Sequence, residues 1–428
     1  MKQAYVWGFS SCLALFAVGC GSSDSAPEDA TPSGAAGSGG SGQLDSANDP
    51  KSTDTDPSKA DPTQLPSAEA PPGVPPKGCV KGFAGGALKL TLDGKVPSVE
   101  LEAKDGKLLA NKVACSDASG HDVDPASLTS LRVDGDAGDN GVSWNLGSGD
   151  WSGLLAGAER VQLWLGEGKN SLSIVGTGGA DHFRHGMRDP DLVLDLTGNG
   201  AINVVAENLV ALAVDLGAGD DRLDDLAPPP PAEGAAPAEA DPTVVPITSL
   251  SVPLIASGGE GNDWILGGSA NDNLDGGPGD DVLSGLGGND SFRASEQSDG
   301  ADIINGGPGY DDLSYELRNE PLTLNLCLSD ASLGCSGEQC SCSTPSGEAG
   351  ENDRIVNVED VTAGNGDDTI NGSDGAESLS GGPGADTIDG GGGSDVLYGQ
   401  TGDDVLNGGP DGDYCDARPE ESKTGCEL

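Results

Sequence analysis

The chain is expected to be all-β and to wind as a parallel β-solenoid, and three observations carry that expectation. Twelve nine-residue units of the form G-G-x-G-x-D-x-U-x, with U a large apolar residue, fall in two groups. Six begin at Gly258, Gly267, Gly276, Gly285, Gln297 and Gly306, and six at Ala363, Gly372, Gly381, Gly390, Gly399 and Gly408. Only 4% of the 428 residues are aromatic while Gly supplies 70, which suits a thin core better than one large globular one. A flexible Gly/Asp-rich linker has no reason to hold an apolar residue at every ninth place, whereas a stack of coils does.

Within a unit, a pair such as Gly258-Gly259 reaches backbone angles closed to residues with a Cβ, so six residues bend into a tight turn with inward carbonyls. The sixth position carries Asp263, Asp272, Asp281, Asp290, Asp302, Asp311, Asp368, Glu377, Asp386, Asp395, Asp404 and Asp413. Calcium is a hard cation that takes about six to eight oxygens from carboxylates and carbonyls, so successive turns on one side of a stack can enclose an ion. The eleven aspartates are the expected metal ligands. The last three residues of a unit form a short strand whose middle side chain points inward. That eighth position reads Ile265, Leu274, Leu283, Phe292, Ile304, Leu313, Ile370, Leu379, Ile388, Leu397, Leu406 and Cys415. Two units then make one coil, with a ladder of ions along each edge and a file of apolar side chains between two small sheets.

These units resemble the repeats-in-toxin (RTX), or haemolysin-type calcium-binding repeat, family, and the run GGPGDDVLS at 276–284 looks like its consensus. The resemblance spans two arrays, 248–315 and 363–416, and implies a right-handed parallel β-roll with several bound calcium ions. Ala270 and Asp411 replace the fourth Gly, Gln297 and Ala363 the first, and Glu377 the Asp. The sites nearest Glu377 and Asp411 depart furthest from the pattern.

Formal net charge is −50, from 71 acidic and 21 basic residues, which excludes binding to nucleic acid or anionic lipid through a basic patch. Cations are the natural partners, and clustered carboxylates that repel one another without metal should link calcium binding to folding. Lys2 precedes an apolar run, 4–18, that is too short to span a bilayer and ends in Ala17-Val18-Gly19-Cys20. This resembles a bacterial lipoprotein signal, which implies that 1–19 is removed and Cys20 lipidated, placing the protein outside the cytoplasm on a membrane of the cell envelope or surface. The alternative is an ordinary cleaved secretory signal. Residues 20–78 hold almost nothing large and apolar and are expected to be a disordered tether.

Of the ten cysteines, eight remain once Cys12 and Cys20 are set aside, an even number for an oxidising compartment. Cys79 and Cys115 bracket a small β module, 79–130, with strand-like runs at 88–92 and 99–102, and read as a local pair. Cys415 and Cys426 read as another, capping the last coil within 417–428. Cys327, Cys335, Cys340 and Cys342 cluster in an insert, 316–362; disulfides of open connectivity are favoured over structural zinc, because C-x7-C-x4-C-x-C lacks paired C-x2-C knuckles. Between 131 and 226, alternating runs at 160–165, 170–175, 191–196, 201–206 and 212–216 read as imperfect solenoid coils. The stretch 216–224 even puts Asp221 in the sixth place and Leu223 in the eighth. A Pro/Ala-rich loop, 227–247, follows.

No catalytic motif is present. Of the three histidines, His121, His182 and His185, the last two have H-x-x-H spacing without the Glu of a zinc helix, and neither a G-x-S-x-G elbow nor a phosphate loop occurs. The residues point to a calcium-binding, lipid-anchored solenoid with a structural or adhesive role and no enzymatic activity, with a surface polysaccharide or protein as partner. One alternative is a solenoid enzyme on extracellular polysaccharide, using Asp181, His182 and Asp189 together on a turn. The other is a carbohydrate-binding adhesin in which Trp144, Trp151 and Trp164 line a face.

Overall fold

The structure, a computed structural model, describes residues 73–226, 247–327, 345–416, 418 and 422–427. The signal segment, Cys20, most of the tether, the Pro/Ala-rich loop up to residue 246, and Cys335, Cys340 and Cys342 lie outside the described residues.

A nonapeptide spends six residues on its turn, so its strand is three residues long. Ser291–Arg293, Ile303–Asn305, Asp312–Ser314 and Thr369–Asn371 are such strands, each with one buried residue between two partly exposed ones. Consecutive units enter opposite sheets, so a strand finds its parallel partner in the unit after next: Trp264 beside Val282 in one sheet, Asn273 beside Ser291 in the other. Two nonapeptides close one coil, with a pitch of 18 residues. Sheets of 16 and 15 strands result. All the eighth-position side chains lie between them, from 0% exposed at Leu397 to 6% at Cys415, in one core that continues back to Leu88. The all-β parallel β-roll expected from the repeats is the observed fold.

The N-terminal part adds longer coils to the same two sheets. Ala87–Thr91, Ser130–Asp134 and Val161–Trp164 pair in parallel on one side. Ser98–Lys104, Gly141–Asn145, Asn170–Val175 and Leu209–Ala218 do so on the other. Antiparallel pairing of Ser98–Lys104 with Lys107–Ala110, and of that with Val113–Ala114, closes this end. The Cys79–Cys115 disulfide, with Cα atoms 4.5 Å apart, ties it down.

The middle corrects the expectation of parallel coils throughout. Strand His182–Arg188, hidden from a periodicity reading by its polar sequence HFRHGMR, turns at 189–190 into Asp191–Asp195. That second strand runs antiparallel between it and Val204–Glu207. The outward face of this insertion is covered: Val193, Val205 and Leu226 form a second small core with Ile202 and Ile247. Met187 and Thr248 exchange backbone hydrogen bonds of 2.8 and 2.9 Å beside it.

Both sheets continue between the two arrays, with one inversion. The order in the first sheet is Ile303–Asn305, Arg354–Val356, Thr323–Cys327, Thr369–Asn371, so a later strand sits ahead of an earlier one. In the second sheet Asp312–Ser314 passes directly to Asp360–Thr362. Cys327, at the end of its strand, is disulfide-bonded.

At the far end Ser422–Thr424 and Cys426–Glu427 add a last strand to each sheet. The Cys415–Cys426 disulfide, with Cα atoms 5.8 Å apart, holds them in place, as the cysteine spacing suggested. Cys426→Ser is expected to destabilise the terminal coil by up to about 3 kcal/mol through lost loop-closure restraint. The measurement is hydrogen exchange: the Tyr414 amide, bonded to Asp395 O, should exchange faster while the Val282 amide is unchanged.

Candidate metal centre

Each turn ends in its position-six carboxylate, and the coil pitch sets that group beside the backbone N–H of its counterpart one coil earlier. Asp263 N–H donates to Asp281 Oδ1 at 2.7 Å and Asp281 N–H to Asp302 Oδ1 at 2.9 Å. The opposite edge repeats this from Asp272 to Asp290 and from Asp290 to Asp311, both at 2.8 Å. In the second array Asp368, Asp386 and Asp404 form one edge and Glu377, Asp395 and Asp413 the other, every rung 2.9 Å long. The aspartates expected as ligands therefore stand in two files, all at most 8% exposed.

The second oxygen makes the site. Buried Oδ2 of Asp263, Asp281, Asp290, Asp311, Asp386, Asp395 and Asp413 has no hydrogen-bond partner among the described residues, and neither has Oε2 of Glu377. Burying an ionised carboxylate without a partner costs several kcal/mol. Burial pushes Asp272 and Asp302 up to about 8, Asp281, Asp311 and Asp386 up to about 7, and Asp290 up to about 6.

The turn backbone leaves room for this oxygen and little else. A Cβ on Gly258 would lie 2.2 Å from Asp263 Oδ2 and 2.4 Å from the carbonyl oxygen of Gly276, so the carboxylate of one turn and a carbonyl of the next converge where only glycine fits. At the fourth position Asp411 keeps a left-handed φ of 86° without being glycine, a strain of roughly 1–2 kcal/mol. Among the described residues no three His, Cys, Asp or Glu side chains converge as a metal-binding group. A cation here would have to take most of its oxygens from turn carbonyls, and an all-oxygen set of carbonyls with one or two carboxylates suits Ca2+. Asp263 and Asp281 with the Gly276 carbonyl would hold one such ion.

The files extend beyond the two arrays, through two members that the repeat pattern did not reveal and through Asp221, which it did. Asp353 accepts the Asp302 N–H at 3.0 Å and Glu359 the Asp311 N–H at 2.9 Å, carrying both edges across the junction. Asp353 follows Gly347 by one residue more than the repeat allows, and Glu359 follows no nearby glycine, so a strict register passes over both. Asp221 accepts the Asp181 N–H at 2.6 Å and donates its own to Asp263 at 2.8 Å, extending one file toward the N-terminal coils. Glu377, the exception in the sixth place, bends one oxygen back onto the Ser373 hydroxyl through its longer stem.

The groups considered for catalysis do not assemble. His182 opens a strand instead of lying on a turn, and Asp189 follows that strand's far end, about 20 Å away at 3.3 Å per residue. His182 Nε2 instead meets Asp224 Oδ2 at 2.8 Å. His185 is fully buried, with a ring nitrogen 2.8 Å from Leu266 O, and burial lowers its pKa. Trp144 and Trp151 pack edge to face inside the core, with centroids 5.3 Å apart. Trp164 alone of the three reaches the surface, under the Arg132 guanidinium at 3.8 Å, so they form no aromatic strip.

Residues 257–292, 298–313, 358–388 and 380–415 match the RTX calcium-binding nonapeptide repeat, in four copies. The chain thus carries RTX calcium-binding repeats over both arrays, and the match starting at 358 takes in Glu359. No curated protein matches the chain.

The raised carboxyl values fix the direction of pH dependence for the metal-free protein. A carboxyl whose folded pKa lies above its ordinary 3.8 supports the fold fully only below that value, and its support is lost as pH rises through the folded pKa. In chelator, circular dichroism should therefore show the β signal of the arrays weakening between about pH 5 and pH 8, with calcium restoring it at pH 8. A signal that strengthens toward pH 8 without metal would contradict this account.

Proposed function

We propose that this chain, through its RTX calcium-binding repeats, is a calcium-loaded β-solenoid acting as a stiff structural or adhesive element outside the cytoplasm. In this reading lipidated Cys20 holds it to a membrane, its partner is a surface polysaccharide or protein, and it performs no catalysis. The observation that carries the proposal is the pair of buried carboxylate files. Rungs one strand spacing apart, about 4.8 Å, would set ionised groups in a row with repulsion on the order of 3 kcal/mol per pair. Each array coil opposes this with two buried apolar side chains, worth roughly 3–6 kcal/mol before the entropy of ordering its residues. A cation that binds only the folded turns decides the balance: one site at a hundredfold excess over its dissociation constant adds about 2.7 kcal/mol. Six units offer on the order of four sites between successive turns, so the two arrays hold roughly eight ions.

Equilibrium dialysis counts the ions, and small-angle scattering with circular dichroism follows the fold as calcium is removed at neutral pH. The expected outcome is several ions bound at millimolar calcium, and chain expansion with loss of β signal in chelator. A compact, fully β-structured metal-free protein would show that packing alone holds the arrays.

The anchor has its own test. Cys20→Ser should abolish lipid labelling and move the protein out of the membrane fraction, since acylation supplies the apolar attachment. Unchanged labelling and fractionation would favour the ordinary secretory signal.

A further inference from the structure

Arg318 has 0% exposure, an unusual position for a guanidinium unless its environment is built for it. It lies on the edge that carries Asp281, Asp302 and Asp353, between the turn after Ser291–Arg293 and the turn leading into Arg354–Val356. Its Nε donates to Ser295 O at 2.6 Å. Nη1 donates to Glu348 Oε1 at 3.1 Å and to Glu351 Oε1 at 2.9 Å, and Nη2 to Asp299 Oδ1. One turn carbonyl and carboxylates from two successive turns surround the charge. The other turns present the same kinds of oxygen to one another.

The two turns around Arg318 are built like the rest of the file. Asp299 Oδ2 accepts the Ser295 N–H at 3.0 Å, as Asp272 Oδ2 accepts that of Gly268 at 2.6 Å and Asp368 Oδ2 that of Gly364 at 3.1 Å. The Asp299 N–H donates to Glu351 Oε1 at 3.1 Å, as the Asp263 N–H does to Asp281. Asp299 and Glu351 thus stand to each other as successive position-six residues do. The coil that ends at Asp302 is longer, 21 residues instead of 18 between rungs, and the next rung comes 51 residues later at Asp353, which makes space for a planar group larger than an ion.

Asp299, Glu351 and Asp353 hold no lone buried oxygen among the described residues, as Asp272 and Asp368 hold none, but here side chains and not only backbone N–H groups fill those places. Arg318 binds the first two, and Tyr315 Oη donates to Asp353 Oδ2 at 3.1 Å. Outside lies a groove of about 430 Å³ lined by Glu296, Glu320 and Glu348, an approach that favours cations.

We propose that the Arg318 guanidinium takes the place of one calcium ion in this file, so that the junction between the arrays is held by a cation of the chain's own. The inference rests on the calcium reading above, and it divides the file into two stretches that load separately. Calcium bound to the full chain is counted by equilibrium dialysis for the wild type, Arg318→Ala and Arg318→Lys. Arg318→Ala should bind one ion more per chain at saturation, and Arg318→Lys the same number as the wild type. An unchanged count in a folded Arg318→Ala overturns the inference, whereas a wild type that binds no calcium overturns the calcium reading itself. Hydrogen exchange of the wild type in chelator covers the case in which Arg318→Ala does not fold. The amides of Asp299 and Asp302 should exchange at least about tenfold more slowly than those of Asp263 and Asp386. Equal exchange at these four amides overturns the proposal.

Discussion

Each position-six carboxylate serves two coils at once. Its Oδ1 accepts the backbone N–H of the coil before, which would otherwise be a buried donor without an acceptor. Its Oδ2 turns into its own turn, against a glycine and the carbonyl of the next. The first bond sets the spacing of the stack, and the second oxygen gives the stack its appetite for cations. Because both belong to one short side chain, spacing and metal site cannot be altered independently. A longer acid such as Glu377 satisfies the site differently, by folding one oxygen back onto Ser373. The coupling is also what makes neighbouring coils interdependent, in the manner of a one-dimensional array.

The two halves of the solenoid balance their energetics differently. The N-terminal coils have strands of up to ten residues, such as Leu209–Ala218, and a core that includes Trp144, Trp151 and Leu154. The array coils have mostly three-residue strands with one inward side chain each, the longest being Leu254–Glu260 where the arrays begin. Apolar burial is proportional to area, so the first half rests mainly on packing and the second relies on its turns. The shared sheets and continuous core let the packed half serve as a template on which the arrays extend.

The parts of this architecture that repeat were legible in the sequence. Position eight and position six recur through both arrays, and a periodic signal of that length survives local departures such as Gln297 or Ala270. What escaped notice was whatever broke the period. Asp353 is displaced by one residue from its glycine, Glu359 lies among residues with no turn signature, and His182–Arg188 alternates polar and apolar residues too weakly to stand out. Arg318 gave no signal at all, since a lone basic residue in an acidic chain reads as surface until its neighbours in space are known. The Asp181, His182 and Asp189 grouping failed for a related reason. Proximity along the chain is not proximity in space once a strand lies between the residues.

Strand inversion at the junction shapes how this molecule can assemble. Elsewhere in the arrays a strand docks on one laid down two units before, so growth proceeds by short steps with small loop-closure entropy. At the junction Ile303–Asn305 must wait for Arg354–Val356, while Thr323–Cys327, made earlier, takes the next place beyond it. A chain emerging from its amino end cannot complete this step in the order in which it is made. The second array therefore gains its seat only after a distant segment has doubled back. The closure at this step spans 51 residues from Asp302 to Asp353 instead of 18, so it costs more entropy than the short steps on either side.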